Sequence, residues 1–159
     1  MDYLTLAVNL KNLAISQYVN YNFSSFLKIN GVAVGMSQDG IFELDNLTTD
    51  DAVEIDAFVE LVRSDWGIAN LKRIKKFYMG YEATGEIDLS LTTDEGAEEL
   101  YTFKPTMIEG NQGSGFINGR RRQSGRYWQL KISNTLGCDF SIDSITVSPT
   151  VLIRKPGGN

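Results

Sequence analysis

The stretch "SGRYWQLKISNTLGCDFSIDSITV", residues 124–147, decides the fold class of this chain. It holds the second tryptophan and the only cysteine. Apolar and polar residues alternate on both sides of "SNTLG", which turns the chain. Trp128, Leu130 and Ile132 point one way, and Tyr127, Gln129 and Lys131 the other, as the two-residue period of a strand requires. Beyond the turn, Phe140 and Ile142 share one parity, whereas Ile145 and Val147 have the opposite one. A regular strand cannot bury both pairs on one face. An inserted residue near Asp143–Ser144, a β-bulge, restores the register.

The same period extends outward from this ribbon. "GEIDLSLTT", residues 85–93, places Ile87, Leu89 and Leu91 inward. "ELYTFKP" ends at Pro105, a residue that suits a strand end. "EIDAFVELVR", residues 54–63, alternates Ile55, Ala57, Val59 and Leu61, and "LKRIKKFYMGY" follows. The glycine-rich run 109–125 reads as loop around a short strand at Phe116–Ile117. In "SFLKINGVAVGM", Asn30–Gly31 is the preferred pair for a type I′ hairpin, and Asp39–Gly40 marks a second turn. "VLIRKPGGN" reads as a last strand fading into a tail. Only "YLTLAVNLKNLAISQ", residues 3–17, is ambiguous: Leu6, Leu10 and Leu13 fit a helix, but Leu4, Leu6, Val8 and Leu10 fit a strand. Short strands at this spacing make the fold class all-β, an antiparallel β-sandwich of jelly-roll-like type with a short N-terminal arm. The expected divisions are an arm over residues 1–17, a sandwich over 18–154 and a loose tail over 155–159. Trp66, Trp128, Leu130, Ile132, Phe140 and Ile142 are its expected core residues.

Composition narrows the function classes. The chain has 159 residues, 42% of them hydrophobic, enough to bury a core without staples. A single cysteine, Cys138, forbids an internal disulfide. No apolar run reaches the roughly 18 residues of a membrane span, and no secretory signal is visible, so no membrane partner is expected. Histidine is absent, which removes the usual general base and the commonest zinc ligand. A carboxylate pair is the surviving hydrolytic option, but no spacing singles one out. "TTDDAVEID" lacks the glycine of a calcium loop. No catalytic residue, metal site or cofactor is therefore expected.

The net charge of −5 is unevenly spread. Residues 1–60 carry nine acids against two bases, and residues 61–159 carry eleven acids against thirteen bases. Between residues 39 and 60 there are eight carboxylates and no base, Asp50, Asp51, Glu54 and Asp56 among them. This is a solvated acidic loop or one half of a complementary interface. "GRRRQSGR" supplies Arg120, Arg121, Arg122 and Arg126 as the other half. The same arginines beside Tyr127 and Trp128 also suit nucleic acid, but no nucleic-acid motif surrounds them and the whole chain is acidic.

The segments "YVNYNFSSF", "GVAVGMSQDGIFEL", "EIDAFVELVRSDWG", "LKRIKKFYMGYEATGEIDLSLTTDEG" and "GRYWQLKISNTLGCDFSIDSITVSPTVLIR" together resemble tailed-bacteriophage virion proteins encoded among tail and baseplate genes. The resemblance covers residues 18–154 and is most specific over 125–144. Cys138 stands where that pattern expects a small residue such as alanine. The resemblance implies a β-rich, non-enzymatic structural subunit of the tail, tail tip or baseplate. Its partners would be further copies of itself and other tail proteins, and its location the virion, after assembly in the host cytoplasm. On that view the 124–147 ribbon is a core hairpin, and its arginine-rich lead-in meets neighbouring subunits. The arm over residues 1–17 reaches onto an adjacent copy. Two rivals stand beside it. One is a carbohydrate-binding module of a tail fibre, stacking sugars on exposed aromatics among Tyr18, Tyr21, Tyr78, Tyr81 and Tyr127. The other is a DNA-contacting protein of the neck or channel, gripping phosphates through Arg120 to Arg126.

Overall fold

A computed structural model of the chain describes residues 4–19, 21–44, 49–50, 53–94, 96, 98–106, 113–118 and 123–152. Every regular element among them is a strand, and every pairing is antiparallel. The fold is all-β. The chain forms two compact units, Met1–Leu47 and Thr48–Asn159.

The first unit opens with the ambiguous arm. It is a hairpin of β1 (Leu4–Val8) and β2 (Ile15–Val19), paired from Leu4↔Val19 to Val8↔Ile15. The period-two pattern therefore prevails over the helical one. A meander of β3 (Ser25–Ile29), β4 (Val32–Met36) and β5 (Ile41–Leu44) follows. Asn30 and Gly31 alone link β3 to β4, with φ of 50° and 93°. Both central residues of a type I′ turn need positive φ, and Asn-Gly meets that need. The unit runs to Leu47 rather than ending at residue 17. The Thr5 hydroxyl donates to the Tyr21 carbonyl at 2.9 Å, and rings run from Tyr18 through Tyr21 to Phe23 and Phe26. These contacts join the hairpin to the meander.

The second unit holds a small ladder of β6 (Thr49–Asp50) and β7 (Val53–Glu54), and then the sandwich. One sheet has the order β11 (Glu98–Phe103), β10 (Ile87–Thr93), β13 (Trp128–Asn134), β8 (Phe58–Glu60). The other has the order β12 (Gly113–Asn118), β9 (Lys72–Ala83), β14 (Phe140–Val151). Their inner faces form one core. Phe77, Met79 and Tyr81 of β9 pack with Ile87, Leu89 and Leu91 of β10, Phe103 of β11, and Trp128, Leu130 and Ile132 of β13. Each fully buried side chain of this kind contributes roughly 1.5–3 kcal/mol relative to exposure. Trp66, Phe140, Ile142, Ile145 and Val147 are partly buried against the same core.

Two register shifts let the long pair β9–β14 keep its apolar side chains inward. Ile142 faces Tyr81 and Ser144 faces Gly80, so Asp143 is the inserted residue that brings both Ile142 and Ile145 to the core. Ser148 faces Lys76 and Pro149 faces Ile74, so Lys75 is an insertion on the opposite strand. It allows Ile74 and Phe77, which differ in parity, both to be buried. Pro149 sits within β14 because β14 is an edge strand and owes no donor on its open side. The expected separate last strand is instead the end of β14, which runs to Val151.

The ribbon 124–147 is not a hairpin. β13 pairs with β10 and β8, whereas β14 pairs with β9. The turn between them is an arch from one sheet to the other. Leu136 and Gly137 adopt φ of 55° and 67° there. Asn134 braces the arch: its Nδ2 donates to the Cys138 carbonyl at 3.0 Å and the Ile55 carbonyl at 2.9 Å, and its Oδ1 accepts the Ala57 N–H at 2.8 Å. Alternation reports which face a residue takes, and says nothing of which strand lies beside it.

Candidate interaction surfaces

The first unit carries an apolar surface that its own strands leave uncovered. Directly opposed residues of an antiparallel pair share a face. Leu4, Leu6 and Val8 therefore lie on the same side of the hairpin as Ile15 and Val19. These five side chains are between 50% and 68% exposed. The other side carries Thr5, Ala7, Ser16 and Tyr18, and Thr5 is the one that bonds inward. The amphipathy is thus inverted, with the apolar face outward. On the meander, Phe23 lies against Gly35, where a Cβ would sit 2.7 Å from its ring, and Phe26 and Phe42 flank it.

At one corner of the second unit, the two sheets are tied by a buried cation. Lys72 begins β9 and exchanges backbone hydrogen bonds with Gly125, just before β13. Its side chain is wholly buried. The ammonium donates to the Ile68 carbonyl at 2.8 Å and to the Arg126 carbonyl, and lies 6.0 Å from the centre of the Trp66 ring. Burial pushes its pKa below the ordinary 10.5, while Asp65 and Asp94 pull it upward. Trp66 stacks on Trp128, with centroids 6.3 Å apart and planes at 18°. Trp66 has a φ of 50°, a strained value for so bulky a residue. The Ser64 hydroxyl accepts its N–H at 3.0 Å and helps to hold it there. The ammonium's two acceptors are both backbone carbonyls, so it ties the segment before β9 to the segment before β13. Sequence reading placed Trp66 and Trp128 in the core but gave no sign of Lys72, whose neighbours in "LKRIKK" are equally basic.

The charged candidates are dispersed. Glu54 and Asp56 are exposed around β7. Arg126 is exposed as well, and its backbone makes the local bonds: its N–H donates to Asp94 Oδ1 at 3.0 Å. The structure does not join Arg126 to Glu54 or Asp56. Asp51, Arg120, Arg121, Arg122 and the side chain of Asp50 lie outside the described residues, as does the tail 155–159. Cys138 is a free, half-buried thiol packed over Gly85, where a Cβ would lie 2.6 Å from its own.

The five tyrosines named as stacking platforms separate. Tyr81 is buried; its hydroxyl donates to the Lys104 carbonyl at 2.6 Å, and burial raises its pKa. It cannot stack a ligand. Tyr21 is half-buried within the ring cluster of the first unit. Tyr18, Tyr78 and Tyr127 are exposed. Tyr78 is paired with Phe116, which lies in the short strand expected within the glycine-rich run.

No protein-family model, curated protein or solved structure matches this chain. Among the described residues, no group of three or more histidine, cysteine or acidic side chains is arranged to hold a metal ion.

Proposed function

We propose that this chain is a non-enzymatic structural subunit of a tailed-phage virion, placed in the tail, tail tip or baseplate. It works through interfaces with further copies of itself and with other tail proteins. The observation that carries this reading is the outward apolar face of the β1–β2 hairpin. A two-stranded hairpin is marginal alone in water, and a contiguous apolar patch of this kind marks an interaction site. The exposed acids Glu54 and Asp56 and the exposed Arg126 support charge-guided encounter, which sets register and on-rate more than affinity.

The test is assembly mass measured by light scattering, for the chain alone and mixed with the neighbouring virion proteins, across a range of salt. Wild type should form defined complexes, and Leu6→Asp with Val8→Asp should abolish them while the sandwich stays folded. Arg126→Ser should weaken the salt dependence more than the final mass. A wild type that stays monomeric with every partner, or a double variant that assembles as wild type does, overturns the reading.

A further inference from the structure

We propose that the outer face of the β12–β9–β14 sheet docks the acidic segment 53–60 of a second copy of this chain, with three cations of β9 as the basic half of the contact. This rests on the reading that the chain assembles with further copies of itself, and it names where two copies meet.

A bulge builds the basic row. In an unbroken strand, Arg73 and Lys75 would share one face, and Ile74 and Lys76 the other. Lys75 is the inserted residue of β9, so the faces exchange there. Ile74 and Phe77 are both buried, while Lys75 is exposed and Arg73 and Lys76 are half-buried. Three cations thus occupy four residues of one strand, about 10 Å of its length. On β14 the residues opposite them are uncharged: Thr150 faces Arg73 and Ser148 faces Lys76. Tyr78 is the next outward residue of β9, and its ring pairs with that of Phe116. The two rings are 41% and 46% exposed, and the Lys76 ammonium lies 5.8 Å from the centre of the Phe116 ring. The site is a short row of cations beside an apolar knob.

Segment 53–60 is its complement. It contains three acids and no base. Glu54, Asp56 and Glu60 are exposed, and so are Val53, Ile55 and Phe58, at 68%, 40% and 58%. Glu54 and Asp56 lie at most about 7 Å apart along the chain, a spacing that the cation row spans. Carboxylates meet the row while the apolar side chains cover the rings, which joins an aromatic anchor to a charged rim. Within one chain the two surfaces stay apart. Asn134 holds Ile55 and Ala57 beside Cys138, just before β14 begins. The cations face Ser148 and Thr150, roughly 25 Å further along that strand. A contact between two different surfaces is heterologous, and its repetition makes a ring or a filament.

A nucleic acid or other polyanion fits less well. Glu82 and the Asp143 carboxylate over Gly80 stand further along the same face. The rings of Tyr78 and Phe116, 4.8 Å apart at 34°, cover part of each other and leave no slot for a base.

The experiment uses equimolar mixtures of light- and heavy-nitrogen-labelled full-length chains, linked by a carbodiimide, which joins amines to carboxylates in direct contact. Mass spectrometry should find mixed-isotope links from Lys75 or Lys76 to Glu54 or Asp56. Charge exchange is the second measurement. Lys75→Glu with Lys76→Glu, and separately Glu54→Lys with Asp56→Lys, should each raise the concentration needed for half-assembly roughly tenfold or more. An equimolar mixture of the two variants should restore assembly, because each keeps the half that the other has lost. All four side chains face outward, so melting temperature should be retained. Assembly without these links overturns the inference and leaves the wider reading standing. So does a mixture no better than its components, or a chain that assembles only with other virion proteins. Binding of heparin or single-stranded DNA that depends on Lys75 and Lys76, with no such link, overturns it in favour of a polyanion. A chain monomeric with every partner overturns both.

Discussion

The two compact units use the same local grammar and reach opposite ends. In both, strands alternate apolar and polar residues. In the second unit, Ile87, Leu89 and Leu91 of one sheet meet Phe77 and Met79 of the other, and all are buried. In the first, Leu4, Leu6 and Val8 alternate just as regularly and stay exposed; among its described large apolar side chains only Val34 is buried. Alternation prepares a face for burial. A second sheet at the right distance is what completes it, and a hairpin and a three-stranded meander do not supply one.

That contrast can be broken most forcefully at Trp128. Its side chain is 1% exposed and stacked on Trp66. Trp128→Ala should destabilise the second unit by roughly 3–5 kcal/mol, the usual cost of emptying such a site. Denaturant unfolding followed by near-ultraviolet circular dichroism would measure it. An unchanged midpoint would mean that the two sheets do not share the core described here.

Lys72→Met is the next in size. It leaves the Ile68 and Arg126 carbonyls without their buried donor, which should cost about 1–3 kcal/mol. Its pH dependence has a definite sign. Burial holds the folded pKa below 10.5, so between that depressed value and 10.5 the unfolded chain binds the additional proton. Stability from this group therefore rises with pH through that window and is lost as pH falls through the folded pKa. The gap between wild type and Lys72→Met should widen from neutral pH toward 10.5. Chemical unfolding at several pH values would reveal a flat difference if the ammonium is not buried.

Within the first unit the expected effects are smaller. Gly31→Ala should destabilise the β3–β4 turn by about 1 kcal/mol. The cause is backbone strain alone: φ is 93°, and nothing lies within 4 Å of the position a Cβ would take. Hydrogen exchange of β3 and β4 amides would report it. Smallest of all, Leu6→Gln should change monomer stability by less than about 0.5 kcal/mol, because the side chain is already in water. The same substitution should reduce assembly. A large loss of monomer stability would show the hairpin face to be covered within the chain and would erase the contrast between the units.

Local features were legible in the chain because they depend on a few adjacent residues. The Asn30–Gly31 turn needs only two residues that tolerate positive φ. The strand over Ile87–Thr93 needs only its own alternation. Even the insertion at Asp143 was readable, since Ile142 and Ile145 cannot both be inward without it. The buried role of Lys72 was hidden, because the loop of Trp66 and Ile68 just before it has to fold back over it, and the Arg126 carbonyl comes from a segment 54 residues away.

By itself, then, the sequence determined the inward faces of β10 and β13, the tight turn and the bulge, for each follows from spacing along one segment, whereas it left the arm over residues 3–17 open between helix and strand. Only the tertiary structure decided which strands lie side by side. It set β13 against β10 and β8 and sent β14 to the opposite sheet, so that a ribbon with a turn at its middle became an arch. It also set Phe116 beside Tyr78 and brought Asp143 over Gly80. The period of a strand fixes up and down. Pairing depends on the apolar area that two sheets can jointly remove from water, a property of the whole unit that no single stretch of it carries.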